Sequence, residues 1–358
     1  MRRFNCDHCG QLIFFESTVC VTCQRTLACI EDLVEVTSLD PVGDGTWTSP
    51  VPEAAGKKYK LCENYTKHQV CNWAIAADDP NTLCEACRLT RTIPDLSAPN
   101  ARQLWYKMEV AKKRLLYTLF YLGLPHENKH VDPENGLIFD ILADPADPNA
   151  PKVMTGHANG VITLALAEAD DAEREKRRLA MHEPFRTLLG HFRHEVGHYY
   201  WDVLIKPDPK RLEAFRKLFG DDQVDYGAAL QKHYNEGSPP DWQTQYISEY
   251  ATMHAWEDWA ETWAHYLHIV DTLENASELG IQIRPDRRGE PAVKSIPDPV
   301  KDDASFKEMM AAWGPLTYVM NSLNRSLGIG DAYPFVLSGP AVEKLRFVHK
   351  VVTDVGKN

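Results

Sequence analysis

Apolar side chains recur every three or four residues in three long stretches of the chain, a rhythm that predicts amphipathic helices. The first stretch runs from about Asn100 to Leu122, and the Gly-Leu-Pro sequence at 123–125 ends it. The second stretch covers residues 188–201 and the third covers residues 250–268. The apolar positions that set the rhythm are Leu104, Met108, Ala111, Leu115, Leu119 and Leu122 in the first helix, and Met253, Trp256, Ala260, Trp263, Ala264 and Leu267 in the third.

Short β-rich segments lie between the first two helices. Residues 136–142 predict one strand, and residues 153–155 and 161–166 predict two more, joined by a turn that contains Asn-Gly. The charged run 168–178 predicts a solvated helix, and the chain beyond residue 204 is mostly helical in pattern. This order predicts an α+β fold with its strands and helices segregated and a mostly helical C-terminal half.

Eight of the nine cysteines form two sets of four. The first set consists of two C-x-x-C pairs, which is typical of a zinc ribbon because two tight turns with two thiolates each complete a tetrahedron. The second set ends in one such pair, and His68 is an alternative to one of its cysteines. The sets are Cys6, Cys9, Cys20 and Cys23, and Cys62, Cys71, Cys84 and Cys87. We expect one structural Zn²⁺ in each set, and we expect the remaining Cys29 to be a small buried apolar residue.

The 358 residues, 44% of them hydrophobic, suit one small and one larger domain. We place a zinc-ribbon module at residues 1–98 and a second domain at residues 99–358, and we expect residues 37–58 to be an irregular insert within the module. The basic N-terminus lacks the apolar core of a signal peptide. No run of eighteen apolar residues predicts a membrane span. We therefore expect a reducing, cytoplasmic location with thiolate-bound zinc, and we disfavour the alternative, a disulfide framework in a secreted protein.

The charge balance argues against nucleic acid as the partner of the ribbon. The whole chain has a formal net charge of −12. Residues 1–100 carry 9 Lys and Arg against 13 Asp and Glu, a balance of −4. A nucleic-acid-binding ribbon carries a basic face, because phosphate affinity comes from neutralised charge. The module is thus expected to be structural or to dock a protein partner.

Residues 194–198 read His-Glu-Val-Gly-His within the second predicted helix. Residues four apart lie on one face of a helix, so His194 and His198 can bind one Zn²⁺ while Glu195 acts on a zinc-bound water as the general base. A catalytic zinc needs a third protein ligand, and the third helix offers Glu257. Glu261, one turn further on, would hold a zinc-bound histidine by its other ring N–H. The crowding of this helix leaves Asp258, Glu261 and His265 as alternative ligands.

With these motifs in place, the chain resembles a bacterial family of zinc-binding metallopeptidases with an N-terminal zinc-ribbon domain. The resemblance runs through most of the chain and includes the segments 71–73, 109–115, 155–157, 186–191 and 333–335. More widely, the second domain is similar to a gluzincin, a zincin with two histidines and a distal glutamate. One departure from the commonest pattern of that class is Glu261, which stands where an aspartate is usual. The resemblance implies a zincin-like metallopeptidase domain and a peptide or protein substrate.

The expected chemistry is metal-assisted hydrolysis of a peptide bond in a cleft between the strand-bearing and helical halves. An additional donor should stabilise the oxyanion, and the candidates are His254, His265, Tyr266 and Tyr333. The strand at 160–166 is either an edge that pairs with an extended substrate or an ordinary core strand. Two other functions stay open: a zinc-stabilised binding scaffold without catalysis, and a zinc hydrolase of a non-peptide amide.

Overall fold

The computed structural model describes residues 2–145, 147, 149–180, 185–287, 289–302 and 304–356. Its strands are β1 (Phe4–Asn5), β2 (Leu12–Ile13), β3 (Thr26–Ile30), β4 (Glu35–Pro41), β5 (Trp47–Thr48), β6 (Tyr59–Leu61), β7 (Trp73–Ala76), β8 (Thr90–Thr92), β9 (Ile138–Leu142), β10 (Gly156–Ala158) and β11 (Val161–Ala165). Its α-helices are α1 (Glu85–Arg88), α2 (Ala101–Tyr121), α3 (Asp171–Ala180), α4 (Leu188–Tyr200), α5 (Pro209–Phe219), α6 (Tyr226–Glu236), α7 (Ala255–Glu278), α8 (Phe306–Ser326) and α9 (Gly339–Gly356). The predicted α+β class with a mostly helical C-terminal half is confirmed.

The first hundred residues form more regular structure than their composition predicts. Strands β1 and β2 make a hairpin, and β3 to β7 close into a small barrel. The prediction of an irregular insert at residues 37–58 is wrong, because β5 and most of β4 lie there. Two polar residues of β4, Thr37 and Ser38, are fully buried, and the Thr37 hydroxyl donates to Asp7 at 2.7 Å. Buried polar residues thus interrupt the alternation of inward apolar and outward polar residues that normally reveals a strand.

The second sheet has the strand order β10-β11-β9-β8. The predicted Asn-Gly turn is confirmed: Asn159 and Gly160 both have positive φ and join β10 to β11. The first strand of this hairpin lies at Gly156–Ala158 and not at residues 153–155 as predicted. β11 pairs with β10 on one side and β9 on the other, so the strand at 160–166 is an interior strand. The edge of the sheet next to it is β10.

All three predicted helices form. The first and second match their predicted ranges closely, as α2 and α4. The third, α7, begins only at Ala255, where the His254 side chain caps it by accepting from the Trp256 N–H, and it continues ten residues beyond residue 268 to Glu278. Residues 250–252 form a separate 3₁₀ turn before this cap. Within the described residues, no helix is both long and apolar enough to cross a bilayer.

Helices α4 and α7 pack with their backbones close together. A Cβ added to Gly197 would lie 3.0 Å from Ala260 Cα and 3.2 Å from Trp263 Cβ, so a larger residue would require the facing helix to shift. Trp259 Nε1 donates to the Gly197 carbonyl oxygen at 2.8 Å, which fixes one helix along the other. The small residue Ala260 lies at this crossing.

The N-terminal module shares one hydrophobic core with the second domain. The Phe15 ring lies 5.6 Å from the Tyr117 ring of α2, and β8 pairs in parallel with β9. The boundary at residues 98 and 99 stays a prediction, but these contacts cross it.

A buried group of charges on α2 lies beside the second cysteine set. Lys112 and Lys113 donate to the two oxygens of Glu109 at 2.8 and 2.9 Å, and all three side chains are almost fully buried. Lys113 Nζ also lies 3.3 Å from the carbonyl oxygen of Val70, the neighbour of Cys71. Burial lowers the pKa of Lys113, but the charges of Cys71 and Glu109 raise it well above its usual value. The group keeps one net positive charge, which complements a zinc bound by four thiolates.

We predict that Lys113→Met weakens zinc retention by the second cysteine set and lowers the thermal midpoint. Removal of one partner from a buried ion pair costs about 3–5 kcal/mol, because the other charge stays buried. The control is Lys107→Met on the same helix, whose Nζ pairs with Asp171 at 2.7 Å on the surface. Zinc release to a chromogenic chelator and a melting curve are the measurements. Equal zinc release from the two variants would contradict the counter-charge role.

Candidate metal centre and active site

The two motif histidines and Glu257 converge on one point between α4 and α7. The Nε2 atoms of His194 and His198 are 3.2 Å apart, and Glu257 Oε2 lies 2.9 Å from the first and 3.4 Å from the second. A tetrahedral zinc with bonds of about 2.0–2.1 Å holds its ligands about 3.3–3.4 Å apart. The three atoms therefore have the spacing that one zinc ion requires.

The two oxygens of Glu257 have different surroundings. Oε1 accepts a hydrogen bond from the Tyr226 hydroxyl at 2.9 Å. Oε2 is buried and, within the described part of the chain, has no hydrogen-bond partner, although two imidazoles lie beside it. A buried carboxylate oxygen without a partner is costly, and a cation between it and the two Nε2 atoms removes that cost. This orphaned oxygen fits a metal ligand better than a structural ion pair.

Each histidine is held in a different way. His194 Nδ1 donates to Glu261 Oε1 at 2.6 Å, which leaves its Nε2 free for the metal. Burial raises the pKa of Glu261, but the hydrogen bond to His194 and its charge lower it to about 2. The His198 ring packs against the Trp256 ring, with centroids 3.6 Å apart and planes tilted by 30°. Packing thus orients His198, and a carboxylate orients His194.

Glu195 lies between the two histidines in sequence and is 9% exposed. Burial raises the pKa of its carboxyl, and the neighbouring His194 and His198 only partly oppose this. A raised pKa suits a carboxylate that accepts a proton and returns it later in the reaction.

The other acidic and imidazole side chains of α7 point to other partners. Asp258 Oδ2 accepts from Lys344 of α9 at 2.6 Å in a fully buried ion pair. Burial raises the pKa of Asp258 to about 7, and the Lys344 charge opposes that rise. His265 Nδ1 pairs with the Tyr333 hydroxyl at 2.7 Å. Since Glu261 is paired with His194, these contacts leave Glu257 as the carboxylate at the two Nε2 atoms.

The four oxyanion candidates also have fixed partners. His254 uses both nitrogens, since Nδ1 accepts from the Trp256 N–H and Nε2 lies 3.1 Å from the Val224 carbonyl oxygen. Tyr266 pairs with His349 at 3.0 Å, and Tyr333 pairs with His265. His265, Tyr266 and Tyr333 are each at most 6% exposed. The structure does not bring these four side chains to the metal group.

Sequence reasoning missed Tyr226, whose hydroxyl contacts Glu257, and Tyr250, whose ring lies 6.0 Å from that of His194. It also missed that His157 of β10 lies beside the site, with its ring 6.3 Å from that of His198. These three residues lie on separate elements at irregular distances from the motif. No spacing or periodicity in the sequence connects them to it.

Both cysteine sets are assembled as predicted. In the first set, the Sγ atoms of Cys6 and Cys23 are 3.7 Å apart, and in the second those of Cys71 and Cys84 are 3.7 Å apart. Four sulfurs at about 2.3 Å from one zinc are about 3.8 Å from each other. All nine cysteines are free, and within the described chain the structure groups all four ligand atoms of each set within 4.8 Å. His68 instead packs its ring against Trp105.

Comparison with known protein families assigns both parts of the chain. Residues 101–351 match the model of a zinc-binding metallo-peptidase family, and residues 3–98 match a zinc-ribbon domain. The chain belongs to this metallopeptidase family. An uncharacterized protein of Mycobacterium tuberculosis (strain ATCC 25618 / H37Rv) and one of Mycobacterium bovis are each 41% identical over 355 residues, which cover 99% of this chain and 96% of the relative. No solved structure matches the chain.

We predict three zinc ions per chain in metal-replete protein and two in Glu257→Ala. The lost ion is the one at the His194 and His198 pair, because the variant lacks its third ligand. The four-cysteine sites should keep their ions, because closed sites are coupled to folding. Elemental analysis measures the stoichiometry, and Glu278→Ala, at the far end of the same helix, is the matched control. Three retained ions in Glu257→Ala would exclude Glu257 as a ligand.

Proposed function

We propose that this metallopeptidase-family chain hydrolyses peptide bonds, with His194, His198 and Glu257 as ligands of a catalytic zinc and Glu195 as the general base. The observation that supports it most is the orphaned Glu257 Oε2 beside two Nε2 atoms, with Glu195 on the same turn of α4. Two further zinc ions would be structural, one in each cysteine set.

The bound zinc would act as a Lewis acid that polarises the scissile carbonyl and lowers the pKa of a water. Glu195 takes a proton from the attacking water and later delivers it to the leaving amine. Glu261 and Trp256 keep the two imidazoles in place during this cycle. Glu195 thus moves protons, whereas Glu257 would bind the metal and Glu261 holds His194.

The edge strand β10 is the proposed docking site for an extended peptide. Among the strands that the structure describes, β10 pairs only with β11, and its His157 lies beside His198. Main-chain hydrogen bonds along a free edge bind a peptide without reading its sequence. The interior strand β11 cannot serve this purpose, since both of its sides are paired.

Two alternatives predict different behaviour. A binding scaffold without catalysis does not need a carboxylate on the same helical turn as the two histidines, a position that Glu195 occupies. A hydrolase of a non-peptide amide would use the same residues. Hydrolysis of small N-acyl amides with no hydrolysis of peptides would favour that second alternative.

We predict that Glu195→Gln retains three zinc ions and a normal melting curve but loses hydrolysis. Glutamine keeps the shape of the side chain and cannot accept the proton, so the rate should fall by at least ~10²–10⁴-fold. A library of fluorogenic peptides is the assay. The control is Glu213→Gln, an exposed residue of α5 paired with Lys217 on the surface. Full activity in Glu195→Gln would rule out its role as the base.

The ribbon carries an exposed apolar surface that we propose as a contact for protein substrates. Phe14 is 80% exposed and Val21 is 75% exposed, and Leu12 and Val19 of the same module are also exposed. The acidic balance of the module disfavours nucleic acid as the partner. Deletion of the whole module is a poor test, because it would remove β8 from the second sheet and uncover α2.

We therefore predict that the double variant Phe14→Ser, Val21→Ser reduces cleavage of whole proteins and leaves cleavage of short peptides unchanged. The surface lies on the module and not at the metal group, so only a substrate long enough to reach it should respond. Cleavage of whole proteins is measured by mass spectrometry of the new N-termini in a protein mixture. Cleavage of short peptides is measured in a separate peptide assay. Val131→Ser, another valine with 75% exposure, is the control. Equal loss in both assays would refute recruitment by the ribbon.

A further inference from the structure

Hydrolysis of a peptide bond places negative charge on the carbonyl oxygen, and a donor aimed at that oxygen lowers the barrier. None of the four oxyanion candidates from the sequence has a donor directed at the metal group, since His254, His265, Tyr266 and Tyr333 are all committed to other partners. A suitable donor must lie beside the ligand atoms and stay accessible to a substrate.

Tyr226 meets both conditions. Its hydroxyl is 2.9 Å from Oε1 of Glu257, the residue whose other oxygen faces the two histidines. The residue is 38% exposed, unlike the deeply buried His265, Tyr266 and Tyr333.

The ring of Tyr226 is fixed while its hydroxyl faces the site. The ring makes edge contacts with His254 at 5.6 Å and with Trp256 at 5.8 Å, and Trp256 itself packs against His198. Tyr226 is the first residue of α6, and the Asp225 side chain caps that helix by accepting from Ala228 N–H. Such anchoring fixes where the hydroxyl lies without packing it into the core.

We propose that Tyr226 donates its O–H to the substrate carbonyl oxygen as that oxygen gains negative charge, a role that rests on the proposed peptidase function. In the free protein the same O–H donates to Glu257 Oε1. The substrate oxygen replaces this acceptor, because a phenol has one proton to donate.

The step balances without any further reactant. The water oxygen forms a bond to the carbonyl carbon, the C=O π pair moves to the carbonyl oxygen, and Glu195 takes one water proton. Tyr226 keeps its own proton and only donates a hydrogen bond. The oxyanion pair then re-forms the C=O bond, the C–N bond breaks with its electron pair on the nitrogen, and Glu195 returns the proton to that nitrogen, which leaves a carboxylic acid and a free amine.

The test is Tyr226→Phe, which removes one oxygen and leaves the ring contacts in place. With zinc occupancy held at three ions, we expect kcat to fall by about 10²–10³-fold with little change in KM. A phosphinic peptide built on a cleaved sequence has a tetrahedral anionic centre and should bind the variant more weakly by a similar factor. A substrate-like peptide should bind with the same affinity to Glu195→Gln and to the double variant Glu195→Gln, Tyr226→Phe, because neither protein hydrolyses it. Tyr234→Phe, an exposed tyrosine of the same helix, is the matched control and should behave like the wild type.

Two results would overturn the proposal while the peptidase function stands. One is an unchanged kcat and phosphinic-peptide affinity in Tyr226→Phe. The other is a loss of activity that excess zinc restores fully, which would limit Tyr226 to holding Glu257. A zinc-loaded wild-type protein that cleaves no member of the peptide library would instead refute the proposed function itself.

Discussion

The close crossing of α4 and α7 is the constraint on which the site depends. Gly197 lets the two backbones approach, and Trp259 locks their positions by a hydrogen bond to the Gly197 carbonyl oxygen. His198 follows Gly197 directly in sequence, and Glu257 lies one turn before Ala260. A wider crossing would therefore separate the carboxylate from the imidazoles by more than one metal ion can bridge.

The charges around this crossing are paired so that the metal ligands stay available. Arg193, next to His194, is buried against Asp271 at 2.7 Å, and Asp258, next to Glu257, is buried against Lys344. Each ion pair anchors a residue next to a proposed metal ligand to another helix: Arg193 to α7, and Asp258 to α9. Buried pairs of this kind contribute little net stability but make a displaced arrangement costly, since it would leave a charge unpaired. They favour the one geometry in which Glu257 Oε2 faces both histidines.

The N-terminal module extends the core of the second domain. Trp73 of the barrel contacts Phe120 of α2, and β8 is an edge strand of the sheet that carries His157 at its other edge. Helix α2 also lies against α4, where Arg193 reaches Thr118. The zinc-ribbon region and the metal site are therefore connected through one helix, whose buried Lys113 lies beside the second cysteine set. The family models separate the two regions by sequence, whereas the packing joins them.

The sequence by itself determined the features that depend on local spacing: the cysteine pairs, the three amphipathic helices, the turn at Asn159 and Gly160, and the histidines one turn apart. These follow from periodicity and from backbone preferences within a few residues. Only the tertiary structure decided that β4 and β5 complete a barrel, that Asp258 pairs with Lys344, and that Tyr226 contacts Glu257. The last two contacts join residues 31 and 86 positions apart, and they leave no repeating pattern in the chain because each depends on how separate elements pack.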